Sequence, residues 1–218
     1  MRKLVIINGS PRGEKGATGV VVKDMEGFIP KDMEAKFLCF SGDGLDESLD
    51  DSEKEALFEA DILLFAFPLY VDTFPSNLLY CLRDVEKEKA KFKNGSDIKV
   101  YAFVNCGLYE GFQSAISIEI LKNWIIAMDF KFGMAVGFGG CGALPGAKKQ
   151  LPGEGIKEDM PRLFTALFNA MENGETDKEN LYGNIAVSRE DYKNSSEAGW
   201  RKLVVRNGLE EKDLDRQY

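Results

Sequence analysis

The residues best suited to chemistry stand near the start of the chain, where glycines, hydroxyl groups and one arginine follow a short apolar run. The run is Leu4–Ile7, the polar segment is 8–18, and residues 18–28 suit a helix. Free backbone N–H groups at a helix start attract an anion. The segment lacks the Lys-Ser/Thr ending of the nucleoside-triphosphate loop and the spacing of the dinucleotide fingerprint. It therefore predicts a site for a small phosphomonoester, with candidate binding residues Ser10, Arg12, Gly16, Ala17 and Thr18.

Two further loops of unusual composition follow the third and fourth apolar runs. In the first, prolines at 68 and 75 bracket an aromatic-rich turn and stiffen its backbone. In the second, a glycine permits close backbone approach and a tyrosine offers a flat surface. Alone, each could be a loop that caps the core or an ordinary strand-to-helix turn. Together they predict two walls for the ring of FMN beside an anchor for its phosphate, with candidate residues Pro68, Leu69, Tyr70, Val71, Asn105, Cys106, Gly107, Tyr109 and Glu110.

Five apolar, β-rich runs must position these loops. Most are continuous rather than alternating, as expected for parallel strands covered on both faces; they are Leu4–Ile7, Ala35–Phe40, Asp61–Phe67, Ile98–Val104 and Met134–Phe138. Helical patterns lie between them, so the sequence predicts an α/β, doubly wound, five-stranded parallel sheet of flavodoxin-like order. In this architecture, right-handed crossovers bring the loops after strands one, three and four to one edge.

Composition excludes several classes of function. The chain has 218 residues, a net charge of -8 and no histidine, so histidine catalysis and histidine metal sites are excluded. The acidic balance argues against nucleic-acid and membrane partners. Four cysteines without a C-x-x-C pair, and an acidic stretch at 43–55 without calcium-loop spacing, predict no metal site. With no secretory segment and thiols typical of a reducing compartment, we expect a cytoplasmic protein.

Three motifs in order resemble those of the flavodoxin-fold NAD(P)H-dependent FMN reductases and quinone reductases. They are Ile-Asn-Gly-Ser-Pro-Arg at 7–12, Phe-Pro-Leu-Tyr-Val-Asp-Thr-Phe-Pro at 67–75 and Asn-Cys-Gly-Leu-Tyr-Glu-Gly at 105–111. The resemblance covers about residues 1–172. It implies that Ser10, Arg12 and Thr18 hold the FMN phosphate and that the 68–71 and 105–111 loops contact the two sides of the flavin. Many relatives have Asn or Ser where this chain has Ala17, so one side-chain contact is expected to be missing.

The resemblance implies an NAD(P)H-dependent FMN-containing oxidoreductase. Hydride would pass from NADH or NADPH through flavin N5 to a quinone, a nitro or azo compound or a free flavin, and no catalytic residue is assigned because the cofactor carries the chemistry. Two alternatives stay open. The acidic surface would suit a flavodoxin-like electron carrier with protein partners, and Ala17 would suit a non-redox binding module.

Three features of organisation remain open at this stage. We expect a flavodoxin-like domain at 1–172, with 173–218 forming a helical extension packed on it. The segment 115–128 carries two apolar stripes, Ile118, Leu121, Ile125 and Met128 on one side and Ile116, Ile120 and Trp124 on the other. From the pattern alone this indicates either a homodimer interface or a deep core, with the core favoured. Together with the family resemblance it leads us to expect a homodimer. The glycine-rich segment 137–146 is interpreted as a flexible turn, the alternative being a loop that gives close access to a second substrate or to the partner subunit.

Overall fold

Six parallel strands form the central sheet, in the order β2-β1-β3-β4-β5-β6. These elements come from a computed structural model that describes residues 1–216. The strands are β1 (Arg2–Asn8), β2 (Met33–Cys39), β3 (Ile62–Pro68), β4 (Lys99–Asn105), β5 (Lys131–Gly139) and β6 (Leu181–Asn184). The first five coincide with the five predicted runs, and their order is that of a flavodoxin-like fold. The predicted fold class is therefore confirmed.

The strands are apolar throughout because helices cover both faces of the sheet. The helices are α1 (Ala17–Met25), α2 (Leu45–Ser48), α3 (Asp51–Phe58), α4 (Ser76–Lys87), α5 (Ala115–Ala127), α6 (Met160–Glu172) and α7 (Arg189–Arg206). Side chains of α3, α4 and α5 join one core with Val100, Ala102 and Val104 of β4. On the opposite face, the ring of Phe103 lies 5.5 Å from that of Phe164 in α6. Alternate β4 residues thus serve two cores, which explains the absence of polar alternation.

The sixth strand corrects the predicted strand count of five. β6 pairs with the end of β5, from Val136↔Leu181 to Gly139↔Asn184. It has only four residues, two of them Gly183 and Asn184, so it shows no apolar run. The connection from β5 to β6 runs through α6, on the face of the sheet opposite to α4 and α5. It nevertheless leads to the next strand on the same side as the β3–β4 and β4–β5 connections do. That crossover therefore has the opposite hand to the two before it, which the usual right-handed rule does not anticipate.

Helix α5 buries one of its two apolar stripes. Ile118, Leu121 and Ile125 are fully buried, whereas Ile116 is 59% exposed and Ile120 is also exposed. Trp124, the third residue of the second stripe, is partly buried and packs on the core, with its ring 5.8 Å from that of Phe65. The second stripe is therefore exposed at Ile116 and Ile120 and joins the core at Trp124.

The chain divides into two compact units, one from Met1 to Ile185 and one that begins at Ala186. The first unit includes β6, so the sheet extends past the predicted domain end at residue 172. The second contains α7, whose N-terminus is capped by Ser188 Oγ accepting from the Asp191 N–H at 3.0 Å. Packing of a 173–218 extension on the sheet domain stays a prediction. Across residues 1–216, no helix is both long enough and apolar enough to cross a membrane.

Candidate functional site

A cavity of about 230 Å³ lies at the carboxyl edge of the sheet, where four loops meet. It is lined by Ser10, Arg12, Ala17, Thr18, Pro68, Leu69, Tyr70, Asn105, Gly107, Cys141, Gly142 and Pro145. The predicted loops after β1, β3 and β4 thus converge on one space. Five predicted residues belong to these loops without lining the cavity: Gly16, Val71, Cys106, Tyr109 and Glu110. Three lining residues, Cys141, Gly142 and Pro145, were not predicted.

The N-terminus of α1 forms one end of this cavity. Among the residues that the structure describes, none accepts a hydrogen bond from the backbone N–H of Ala17, Thr18 or Gly19. Such N–H groups carry the positive end of the helix dipole. The guanidinium of Arg12 makes no ion pair with any carboxylate in residues 1–216, although the protein is acidic overall. Both features leave positive charge available for an anion.

Short-range hydrogen bonds hold Ser10 in place beside that helix start. The Ser10 N–H donates to Asn8 Oδ1 at 3.0 Å, and the Arg12 N–H donates to Ser10 Oγ at 3.2 Å. Gly16 closes the turn without crowding this hydroxyl, whereas a Cβ at position 16 would lie 3.2 Å from Ser10 Oγ. Ser10 is buried and its hydroxyl hydrogen is free to donate. The turn therefore offers one hydroxyl donor along with the backbone N–H groups.

The loop after β3 is a tight hairpin at the rim of the cavity. Tyr70 and Thr73 exchange two backbone hydrogen bonds of 3.0 Å, while Val71 and Asp72 have φ angles of 48° and 61°. Positive φ at both central positions defines a type I′ geometry, which favours Asn and Gly. A β-branched residue in this conformation is strained. Val71 is also 96% exposed, so burial of its side chain does not offset the strain.

The loop after β4 is fixed at its far end by β6. The Gly111 N–H donates to Asn184 Oδ1 at 2.7 Å. A Cβ on Gly111 would lie 2.3 Å from Gly183 O and 2.5 Å from Gly137 O, so only glycine fits. At Gly107, on the cavity wall, a Cβ would meet nothing within 4 Å. The loop is thus anchored by backbone contact at one end and leaves open space at the other.

The fourth wall comes from Cys141–Ala147, the segment after β5. Gly140 adopts a φ of 77°, and its N–H donates to Leu108 O at 2.6 Å. The Cys141 N–H donates to Cys106 O at 2.8 Å, which joins this segment to the β4 loop. Its glycine-rich composition is the one sequence signal for this wall, and that composition by itself predicts a flexible turn. The structure places Cys141, Gly142 and Pro145 of this segment against the cavity. Access for a second substrate or for a partner subunit stays a prediction.

Both cysteines at this edge are neutral thiols at pH 7. Burial raises the pKa of Cys106 to about 11 and holds the pKa of Cys141 well above its ordinary value. The Cys106 thiol donates to Leu108 O at 3.4 Å and the Cys141 thiol to Phe138 O at 3.1 Å. A thiolate nucleophile is therefore not part of the site at neutral pH.

The donor set fits a phosphomonoester with a planar ring. Unpaired N–H groups and Arg12 suit the phosphate, Leu69 and Tyr70 supply an apolar wall, and Gly107 leaves the space that close approach of a ring requires. The cavity is smaller than the roughly 300–1,000 Å³ that encloses a drug-sized ligand. A ligand as large as FMN would therefore extend past Tyr70, which is 43% exposed, into solvent.

Comparison with solved structures supports the fold and no more. The structure of NADH:FMN oxidoreductase (EmoB) in its apo form is similar, with a TM-score of 0.55, 13% identity, and coverage of 82% of this chain and 92% of that one. Trp repressor binding protein from Bacillus subtilis gives a TM-score of 0.53 at 21% identity, covering 75% of this chain and 96% of that one. No family model and no curated protein matches the sequence. At these identities the chain is shown to have a flavodoxin-like fold, and its activity must be argued from the site.

Proposed function

We propose that this protein is an FMN-dependent NAD(P)H oxidoreductase that passes hydride to a small acceptor, a quinone, a nitro or azo compound or a flavin. The observation that carries the proposal is the cavity where the α1 N-terminus meets the loops after β3, β4 and β5. The similar EmoB structure is that of an NADH:FMN oxidoreductase, which agrees with the proposal. FMN would supply the hydride and electron chemistry when bound.

The chain's own residues would bind and orient the cofactor. The N–H groups of residues 17–19, Ser10 Oγ and Arg12 would hold the phosphate by charge-assisted hydrogen bonds. Pro68, Leu69 and Tyr70 would form one wall against the ring, and Gly107 the other. Because no histidine exists and the thiols of Cys106 and Cys141 are protonated, no side chain here is assigned as a nucleophile or general base.

A homodimer is part of the same proposal. On α5, Ile116 and Ile120 are exposed and four residues apart, which places them on one helix face, and Phe112 is exposed in the turn just before the helix. Exposed apolar patches of this kind commonly mark an interface. Light scattering of the purified protein tests it: an Ile116→Asp variant should have half the mass of the wild type, and a monomeric wild type would contradict it.

An anaerobic spectrum during addition of NADH or NADPH tests the enzymatic assignment. After reconstitution with FMN, the protein should lose its oxidised-flavin absorbance within seconds and regain it when a quinone is added. A protein that binds FMN but is reduced only by dithionite would instead be the electron carrier that its net charge of -8 also suits. Failure to bind FMN would leave a non-redox binding module.

A further inference from the structure

Asn105, the last residue of β4, is a buried amide whose two polar atoms are used differently. Its Oδ1 accepts a hydrogen bond from Thr18 Oγ1 at 2.8 Å, whereas no described residue accepts one from its Nδ2. Asn105 is only 3% exposed and lines the cavity. Asn77 Oδ1 also lacks a hydrogen-bond partner, but it is fully enclosed by protein atoms, whereas Asn105 Nδ2 is not fully enclosed. The amide nitrogen is therefore an unsatisfied donor that faces the cavity.

The same hydrogen bond changes the expected role of Thr18. A hydroxyl group has a single hydrogen to donate, and in Thr18 it is directed to Asn105 Oδ1. A phosphate oxygen only accepts, so the Thr18 side chain cannot donate to a phosphate while this bond lasts. The bond fixes the orientation of the Asn105 amide, with its oxygen towards Thr18 and its nitrogen towards the cavity. Thr18 contributes its backbone N–H to the anion end, and its side chain acts on Asn105.

The position of this donor matches a gap in the anion site. Ala17, the first residue of α1, lines the cavity without a side-chain donor. Asn105 reaches the same space from the end of β4. We propose that Asn105 Nδ2 donates to a phosphate oxygen of the bound ligand and that Thr18 is the positioning residue that keeps the amide turned for this contact. The end of β4 thus supplies a side-chain donor where α1 has only the methyl group of Ala17.

This inference rests on the proposed function, and variants of the full chain test it through binding rather than turnover. Asn105→Asp preserves the acceptor for Thr18 but replaces the donor by a negative charge. We expect FMN, measured by quenching of its fluorescence, to bind about 30- to 100-fold more weakly, since a hydrogen bond to a charged group is lost. Riboflavin, which lacks the phosphate, should keep its affinity within about 3-fold. Equal losses for both flavins would overturn the proposal.

The role of Thr18 has its own test. Thr18→Val removes the hydroxyl with little change in shape and should weaken FMN binding about 10-fold, whereas Thr18→Ser should restore it. After Thr18→Val, a further Asn105→Asp change should cost less than it does alone, because the amide is no longer fixed. Additive effects would refute the positioning role. Asn169→Asp, on the exposed side of α6, is the matched control and should leave the ratio of FMN to riboflavin affinity unchanged.

Failure of the inference and failure of the proposed function give different results. If the wild type binds neither flavin, the proposed function fails. Inorganic phosphate is then the remaining probe: it should raise the melting temperature of the wild type but not of Asn105→Asp. If phosphate stabilises both equally, the assignment of Asn105 is wrong whatever the flavin results. If the Asn105→Asp variant unfolds at a lower temperature, the FMN affinities of Thr18→Val and Thr18→Ser still test whether the orientation of the Asn105 amide matters for phosphate binding.

Discussion

Strain in the hairpin at the cavity rim leads to a quantitative prediction for Val71. Its φ of 48° lies in the left-handed region, which costs a non-glycine residue about 1–2 kcal/mol. Asparagine tolerates this conformation much better and is favoured in type I′ turns. Because the side chain is 96% exposed, replacing it removes almost no buried apolar area. We expect Val71→Asn to raise the free energy of unfolding by about 1 kcal/mol.

Thermal and urea unfolding of the protein without added ligand measure this effect. For a chain of this size, 1 kcal/mol corresponds to a rise in melting temperature of about 2–4 °C. Val71→Ala is the matched control: it also removes the exposed methyl groups but keeps a Cβ without an amide, so its gain should be less than half as large. A melting temperature for Val71→Asn at or below that of the wild type, or an equal gain from alanine, would refute the reasoning.

Three further predictions concern packing, charge and thiol chemistry. Gly107→Ala should leave the melting temperature within about 1 °C because its Cβ meets open space, yet it should weaken FMN binding about 10-fold or more by filling the ring site. Gly111→Ala is the control: its Cβ would strike backbone oxygens, so it should destabilise the protein itself. A destabilised Gly107→Ala that binds FMN normally, beside a stable Gly111→Ala, would contradict the assigned site. Lys157 is fully buried and its Nζ lies 2.6 Å from Asp24 Oδ2, so Lys157→Met should cost about 3–5 kcal/mol in urea unfolding at pH 7. Burial raises the pKa of Asp24, so in the variant the unpaired carboxyl binds a proton more tightly in the folded state than in the unfolded state. Part of the lost free energy of unfolding should therefore be regained as the pH falls towards 5. A loss of the same size at every pH would contradict this. Because burial raises the pKa of Cys106 to about 11, labelling with iodoacetamide at pH 8 followed by mass spectrometry should leave Cys106 unmodified in the folded protein, and rapid modification would show that the site is open.

The sequence was sufficient to predict five of the six strands and three of the four loops that line the cavity. Continuous apolar runs such as Leu4–Ile7 have one physical explanation, burial on both faces, and parallel strands bring the following loops to the same edge. Ser10, Tyr70 and Gly107 therefore meet where the order of strands required. The prediction depended on local composition and on a general rule of topology, and both can be applied without knowing which distant residues are in contact.

The remaining parts depend on contacts between segments distant in the chain. β6 has only four residues and no apolar run, and it exists because Gly183 and Asn184 pack against β5 and Gly111. The wall at Cys141–Ala147 comes from hydrogen bonds to the β4 loop, which composition alone does not reveal. The bond between Thr18 and Asn105 joins residues 87 positions apart. Such pairings are set by tertiary packing, and no local pattern predicts them.

Titration of the purified protein with FMN shows whether the cavity at the carboxyl edge of the sheet binds a flavin phosphate. Visible absorbance and fluorescence quenching, followed by desalting, measure how much flavin stays bound. We expect saturable binding of one FMN per chain, weakened by Gly107→Ala and tighter than the binding of riboflavin. A protein that remains colourless after reconstitution, or that binds FMN and riboflavin equally well, would contradict the assignment of this cavity as a site for a flavin phosphate.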